Sequence, residues 1–166
     1  MTVRPVITIP ALVLSEPALE VDCFDACLAS LIKDLCETMV EAPGCVGLAA
    51  VQIGVSQRVF VVDVAAHPKT KFTHGLIVAV NPVITAQADP KLVREGCMSV
   101  PDFTGALRRA DKITMGAQDR YGEPFEISTS GFEAQAILHE LDHLEGKVFL
   151  DRVTSVGDVY PRKRYM

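Results

Sequence analysis

Two histidines and a glutamate lie close together near the end of the chain, in the segment His139-Glu140-Leu141-Asp142-His143. Side chains four residues apart lie on one face of an α-helix, so both imidazoles can bind one metal ion while Glu140 transfers protons beside it. Good helix formers precede this segment, and Gly146 follows it, where a left-handed helix end is expected. The spacing therefore predicts a metal-binding helix that still needs a third ligand from elsewhere.

Candidates for the third ligand are the acidic residues, Cys97, and the histidines His67 and His74 of a polar segment. Cys97 is distinguished by its neighbours in Glu95-Gly96-Cys97-Met98-Ser99-Val100-Pro101. The glycine lets the backbone approach another group closely, and the proline stiffens the exit from the segment. An isolated cysteine is more often a small buried apolar residue, so both interpretations stay open for the residues alone.

A stretch of small residues runs from Gly44 to Gln52. Such a stretch lets the backbone lie beside a ligand, and the Gln52 amide can donate a hydrogen bond into a site. Tight packing of a loop on a sheet explains the same composition. From this stretch alone, the packing interpretation is favoured.

Composition limits the classes of protein. The 166 residues fit one domain, residues 1–166, and 49% hydrophobic with 22% charged residues is ordinary for a globular protein. A net charge of −5 argues against a nucleic-acid site. The first residues do not resemble a secretory signal, and no apolar run approaches the roughly 18 residues of a membrane span. Five cysteines without a signal predict a reducing, cytoplasmic location.

Hydrophobic periodicity predicts a helix over roughly 23–42 with Asp22 as its N-cap. The pair Cys23 and Cys27 is then explained as two small helix residues rather than a second metal site. The segments predicted as strands are Arg58–Val64, Leu76–Val80 stopped by Asn81-Pro82 with a short continuation over Val83–Ala86, the hairpin Lys112–Gln118 with Pro124–Ser128, and Val148–Leu150. The order predicts an α+β fold with largely antiparallel sheets packed around the C-terminal metal-binding helix that carries HExxH.

Taken together and in order, three segments resemble the signature segments of peptide deformylases. They are Gly47-Leu48-Ala49-Ala50 with Gln52, then Glu95 to Pro101, then His139 to Gly146. The resemblance extends over nearly the whole chain. It implies a metal-dependent hydrolase that removes the formyl group from the N-terminal formyl-methionine of nascent polypeptides and releases formate.

The resemblance also implies roles for individual residues. The metal ligands would be Cys97, His139 and His143, and the ion would be Fe²⁺, with Zn²⁺, Ni²⁺ or Co²⁺ also tolerated. Further implied roles are the general base (Glu140), donors to the oxyanion (Gln52 and the N–H of Met98), backbone partners of the peptide (Val46 and Gly47), and a supporting ion pair (Glu95 with Arg109). Val46, Phe132 and Ala136 are expected to line the methionine pocket. The implied partners are a formyl-methionyl peptide and, transiently, the ribosome, without a membrane.

Two departures from the family pattern support an alternative. Leu138 stands where a glutamine usually precedes the first histidine, and Cys45 either replaces a glycine of the first segment or marks an insertion. The alternative is a deformylase-like metal-binding protein with weak or lost activity. A zincin-type peptidase is a second alternative, but it would take its third ligand from downstream, and no histidine follows His143.

Overall fold

A computed structural model describes residues 3–163 of the chain. Within that range, two α-helices accompany six strands: α1 (Ala26–Glu41), α2 (Gly131–Leu144), β1 (Gly47–Ala49), β2 (Val59–Val62), β3 (Ile77–Cys97), β4 (Val100–Gln118), β5 (Pro124–Ser130) and β6 (Val159–Pro161). All pairings named between these strands are antiparallel, in the order β1-β2-β3-β4-β5 with β6 on β4. The predicted α+β class with antiparallel strands is confirmed, although one continuous sheet replaces the expected several. That residues 1–166 form a single domain stays a prediction.

Strand β2 lies between the two helices and is buried on both faces. Successive strand side chains point to opposite faces. Accordingly, Phe60 and Val62 pack in one hydrophobic cluster with α2, whereas Val59 and Val61 pack in another with α1. Burying each such side chain completely contributes about 1.5–3 kcal/mol. The two clusters hold α2 at a fixed position against the sheet, which a site on this helix requires.

Helix α1 begins later than the sequence predicts. Its N-cap is Asp25 rather than Asp22, because the Asp25 carboxylate accepts hydrogen bonds from the backbone N–H groups of Cys27 and Leu28. Cys23 therefore precedes the helix and does not share a helical face with Cys27. Both thiols are exposed, which leaves this pair outside the core.

Strand β3 runs without a break through Asn81-Pro82, where the sequence predicts a stop, so that prediction is wrong. The predicted continuation over Val83–Ala86 is part of this strand, which extends beyond it to Cys97. Asn81 adopts a left-handed conformation with φ of 49°, and the register shifts between Val80 and Val83. This local irregularity lets β3 contain Pro82, which has no N–H for the ladder of a regular strand. The strand then runs to Cys97, where residues Met98 and Ser99 turn the chain into β4. The hairpin tip presents Cys97 at one end of the sheet.

Helix α2 ends as predicted, with Gly146 in the left-handed conformation at φ of 71°. A side chain at this position would also meet the backbone of Ser15 and Glu16, since an added Cβ would lie 2.8 Å from both. The strand predicted at Val148–Leu150 is wrong, because Phe149–Arg152 forms a 3₁₀ turn with Phe149 buried beside Cys97. A short apolar run in a sequence does not distinguish a strand from a helical turn.

Candidate metal centre and active site

Three side chains that can bind a metal converge where the β3–β4 hairpin tip meets α2. Their ligand atoms, one each from Cys97, His139 and His143, all lie within 4.8 Å of one another. The Sγ of Cys97 is 3.2 Å from Nε2 of His143. The Cys97 and His143 side chains are almost completely buried, and 12% of the His139 side chain is exposed. Among residues 3–163, this is the group of three that could hold an ion.

The ring of His139 is oriented by a carboxylate behind it. Its Nδ1 lies 2.8 Å from Oε2 of Glu95, so the Nδ1–H donates and Nε2 is left to bind an ion. Nδ1 of His143 is buried without a hydrogen-bond partner among the described residues. One soft thiolate and two imidazoles suit Fe²⁺, Zn²⁺, Ni²⁺ or Co²⁺, so the donor set fits a divalent transition metal without choosing among them.

A chain of buried charges extends from the histidines across the sheet. Arg109 donates through Nε and Nη2 to Glu95, at 2.8 and 3.0 Å, and through Nη1 to Asp142 at 2.6 Å. Arg152 donates twice to the same Asp142, at 2.6 Å each. The ion pair expected between Glu95 and Arg109 is therefore present, and it belongs to a larger network.

This network keeps Glu95 ionised. Burial alone would raise its pKa, but hydrogen bonds from His139 and Arg109 outweigh burial and lower the pKa to about 2. Glu95 is consequently a carboxylate at neutral pH, and it can only accept the proton that His139 presents. The sequence gives no direct signal for the parts played by Asp142 and Arg152, beyond the position of Asp142 between the two histidines.

We expect Arg109→Gln to destabilise the fold strongly. The substitution leaves Glu95 and Asp142 buried without the cation between them, a change that costs about 3–5 kcal/mol. Urea unfolding measures the loss. Arg108→Gln is the matched control, because Arg108 is the exposed neighbour on the same strand. Equal unfolding free energies for the two variants would contradict this role of Arg109.

Glu140 lies beside the three candidate ligands with its carboxylate in the cavity. The residue is 4% exposed, and its Oε2 is buried without a hydrogen-bond partner among the described residues. Burial raises the pKa of Glu140 to about 7. A carboxyl group with a pKa near neutrality can both take and return a proton, as a general base and acid must.

Gln52 is held with its amide donor toward the cavity. Its Oε1 accepts a hydrogen bond from the N–H of Ala49 at 2.9 Å, which fixes Nε2 on the other side. Nε2 then lies 3.2 Å from Oγ of Ser99 and 3.7 Å from Sγ of Cys97. The 3₁₀ turn Ala50–Ile53 that follows β1 places this side chain, which is 2% exposed.

Gly47 makes the closest backbone approach in the site. A Cβ added there would lie 2.6 Å from Oε1 and 2.9 Å from Cγ of Glu140. The glycine is thus required because β1 passes directly against the carboxylate. This contact confirms close packing at Gly47, and binding of a ligand beside the small residues stays a prediction.

We expect Gly47→Ala to lower kcat about ten- to a hundredfold, because the new methyl group displaces the Glu140 carboxylate from its position. Steady-state kinetics on the formylated peptide that the resemblance implies as substrate, with bound metal quantified, measures the effect. Gly116→Ala on β4 is the matched control, since an added Cβ there meets nothing within 4 Å. A Gly47→Ala enzyme as fast as the Gly116→Ala enzyme would refute the explanation.

Most of the remaining candidate residues line the cavity. Val46, Met98, Phe132 and Ala136 all line the cavity that contains Glu140 and the candidate ligands. His67 also lines it, stacked on Phe132 with ring centroids 4.2 Å apart, but it is outside the metal cluster.

Two residues singled out in the sequence lie away from the metal cluster: His74, a candidate third ligand, and Leu138, which stands where a glutamine is usual in the family. His74 instead donates to Glu133, with Nδ1 and Oε2 2.7 Å apart. Leu138 packs in the hydrophobic cluster around α2 and does not line the cavity.

Cys45 lines the cavity next to Gly47. Its Sγ lies 3.1 Å from the Gly47 carbonyl oxygen, to which the thiol donates. Burial, with a smaller contribution from Glu140, raises the pKa of Cys45 to about 12, so the thiol stays protonated. The cavity wall therefore carries a neutral thiol beside Gly47.

A thiol and two imidazoles beside a buried carboxyl group with one unpartnered oxygen are the combination that a metal-dependent hydrolase needs. The family model for polypeptide deformylase matches residues 3–158. The chain belongs to the peptide deformylase family, and it is an enzyme of that class.

Individual deformylases are similar to this chain over almost the whole length of both chains. The chain is 40% identical to the peptide deformylase of Syntrophobacter fumaroxidans over 164 residues, 98% of this chain and 94% of the relative. A crystal structure of a peptide deformylase from Legionella pneumophila superposes with a TM-score of 0.84 at 42% identity, covering 93% and 88% of the two chains. A deformylase from Ehrlichia chaffeensis in complex with actinonin gives a TM-score of 0.86 at 32% identity, covering 95% and 92%.

Proposed function

We propose that this deformylase removes the formyl group from the N-terminal formyl-methionine of nascent polypeptides and releases formate. The observation that carries the proposal is the convergence of three metal-binding atoms beside the unpartnered carboxyl group of Glu140 in one cavity. We assign Cys97, His139 and His143 as ligands, which makes α2 the metal-binding helix. We propose Fe²⁺ as the ion in the cell, with Zn²⁺, Ni²⁺ and Co²⁺ as substitutes that the same donors accept.

Cys97, His139 and His143 would hold the divalent ion, which would supply Lewis acidity for the hydrolysis. Glu140 takes the proton of the attacking water at its free Oε2. The water oxygen forms a bond to the formyl carbon, and the carbonyl oxygen becomes negatively charged. Glu140 then returns the proton to the amide nitrogen, and the carbon–nitrogen bond breaks. The remaining hydroxyl proton passes to the released amine, so that formate and a protonated amino terminus leave.

Two donors of the chain are assigned to the developing oxyanion. The Gln52 Nε2 is fixed by the bond that Ala49 makes to Oε1, and the N–H of Met98 belongs to the hairpin turn beside Cys97. Loss of one such donor typically costs about 3–4 kcal/mol of barrier, because the donors are in place before charge develops.

The peptide is proposed to bind along β1, which is the end strand of the sheet. An extended peptide can pair with the free edge of such a strand. The Gly47 backbone is one assigned partner. Val46 is the other through its N–H, because its carbonyl already accepts the N–H of Asp63 at 2.9 Å. The methionine side chain is assigned to the wall formed by Val46, Phe132 and Ala136.

The family membership does not favour the alternative of a metal-binding protein with weak or lost activity. Leu138, one of the two departures that support it, lies in the core rather than in the cavity. Cys45, the other, forms part of the cavity wall without displacing a candidate ligand. The peptidase alternative is opposed by the position of Cys97, which lies upstream of the histidines and within 4.8 Å of their ligand atoms.

An assay on formyl-Met-Ala-Ser with anaerobically purified, Fe²⁺-loaded protein tests the proposal. We expect free amino termini and formate in equal amounts. Cleavage of an internal peptide bond would support the peptidase instead, and absence of both products would support the binding protein. Metal analysis of the purified sample identifies the ion.

We propose a cytoplasmic enzyme that meets the nascent chain through a transient encounter with the ribosome, without a direct nucleic-acid site. None of the helices described in residues 3–163 has the length and apolar character needed to cross a membrane.

A further inference from the structure

The exposed charged side chains that line the cavity, which mark its mouth, are all positively charged. Among the described residues that line the cavity, the exposed charged side chains are Lys69, Arg94 and Arg162. The carboxylates that line it are Glu95 and Glu140, which are 5% and 4% exposed. Glu95 is already paired with Arg109 and His139. The charge that a peptide meets on entering is therefore positive.

Strand β6 holds the two arginines in place. Its Tyr160 lies under the Arg94 guanidinium, with Cζ 4.1 Å from the ring centroid, and Nε and Nη2 of Arg94 both lie 3.1 Å from Oγ1 of Thr104. Arg162 directly follows β6, and its Nη1 donates to the carbonyl of Cys97 at 3.2 Å. The two guanidinium groups thus flank the end of the hairpin that carries a candidate metal ligand.

Neither guanidinium is neutralised within the part of the chain that the structure describes. The ion pairs of residues 3–163 include neither Arg94 nor Arg162. This contrasts with the net charge of −5 for the chain. A cationic mouth on an acidic protein attracts negatively charged ligands to that cavity, because local potentials act on a ligand more strongly than the net charge.

We infer that this enzyme prefers formyl-methionyl peptides whose second and third residues are acidic. The inference rests on the proposed function, because it concerns the substrate of the same cavity. With the formyl group at the metal centre and the methionine side chain against Phe132, the following residues pass through the mouth. Carboxylate side chains there can accept hydrogen bonds from Arg94 and Arg162, which present planar guanidinium donors.

Three amidated peptides test the preference: formyl-Met-Glu-Glu, formyl-Met-Gln-Gln and formyl-Met-Lys-Lys. Amidation removes the terminal carboxylate, which would otherwise add the same charge to each. We expect kcat/KM to be about tenfold higher for the Glu peptide than for the Lys peptide at low ionic strength, with the difference mainly in KM. The ratio should fall in about 0.5 M salt, because exposed charges are screened.

The double substitution R94Q/R162Q should bring the Glu-to-Lys ratio to within about twofold of one. R120Q is the matched control, since Arg120 is an exposed arginine in the β4–β5 turn and does not line the cavity. The control should keep the ratio of the parent enzyme. If R120Q lowered the ratio as much as the double variant, the mouth would not be its origin and the inference would be overturned.

Equal kcat/KM for all three peptides in the parent enzyme would overturn the inference and leave the proposed function intact, because the Gln peptide would still be deformylated. Failure to deformylate any of the three peptides would instead overturn the proposed function, and the substrate preference with it.

Discussion

Replacing Glu140 by glutamine is expected to lower turnover of formyl-Met-Ala-Ser about 10²- to 10⁴-fold while the protein still binds its metal. The amide keeps the shape of the side chain beside the three candidate ligands but cannot accept the proton of the attacking water. It also cannot return a proton to the leaving nitrogen. The measurement combines steady-state kinetics with metal analysis of the same sample.

Glu126→Gln is the matched control for this substitution, because Glu126 is an exposed residue of β5 outside the cavity. It should retain the parent rate. A metal-loaded Glu140→Gln enzyme that turned over at that rate would show that another group moves the proton, and the assignment of Glu140 would be wrong.

Replacing Cys97 by alanine is expected to remove both the metal and the activity. Cys97 supplies the only sulfur among the three candidate ligand atoms in residues 3–163, and two imidazoles alone leave an ion under-coordinated. Loss of a residue that only hydrogen-bonds to a metal ligand typically weakens metal affinity about 10–100-fold. Loss of a ligand itself should therefore weaken metal binding by more than that. Metal content after anaerobic purification is the direct measurement.

Cys36→Ala is the control for this second prediction. Cys36 is half-buried on α1 and outside the cavity, so its loss should leave the metal content unchanged. Circular dichroism of both variants separates loss of a ligand from loss of the fold. A folded Cys97→Ala protein with one equivalent of tightly bound metal would remove Cys97 from the ligand set.

The sequence predicts well what depends on local spacing. Helix α2 and its end at Gly146 follow from helix formers and a left-handed glycine, and the β4–β5 hairpin follows from alternating residues around a turn. Prediction from sequence fails where contacts between residues far apart in the chain determine the bounds of an element. The sequence suggests a stop at Asn81-Pro82 and only a short continuation over Val83–Ala86, yet pairing with β4 carries the strand through the irregularity and on to Cys97.

The site shows the same division. The pairing of His139 with His143 is visible in five residues of sequence, but Cys97 is joined to them only through the length and register of the β3–β4 hairpin. The network from Glu95 through Arg109 and Asp142 cannot be read from spacing, because its members come from two strands and a helix. The same holds for Arg162, which reaches the cavity through the pairing of β6 with β4.

The burial of β2 on both faces has a consequence for how the chain finds its correct strand alignment. A slip by one residue normally exposes apolar side chains, but Val59 to Val62 would simply exchange one core for the other. Alignment must then be enforced by polar contacts at the strand end. Asn81 can do so, because its N–H donates to the Arg58 carbonyl and its side chain bonds to Val21 and Gln118. In the native pairing these hydrogen bonds hold Asn81 opposite Arg58, and so fix the register of β2 against β3.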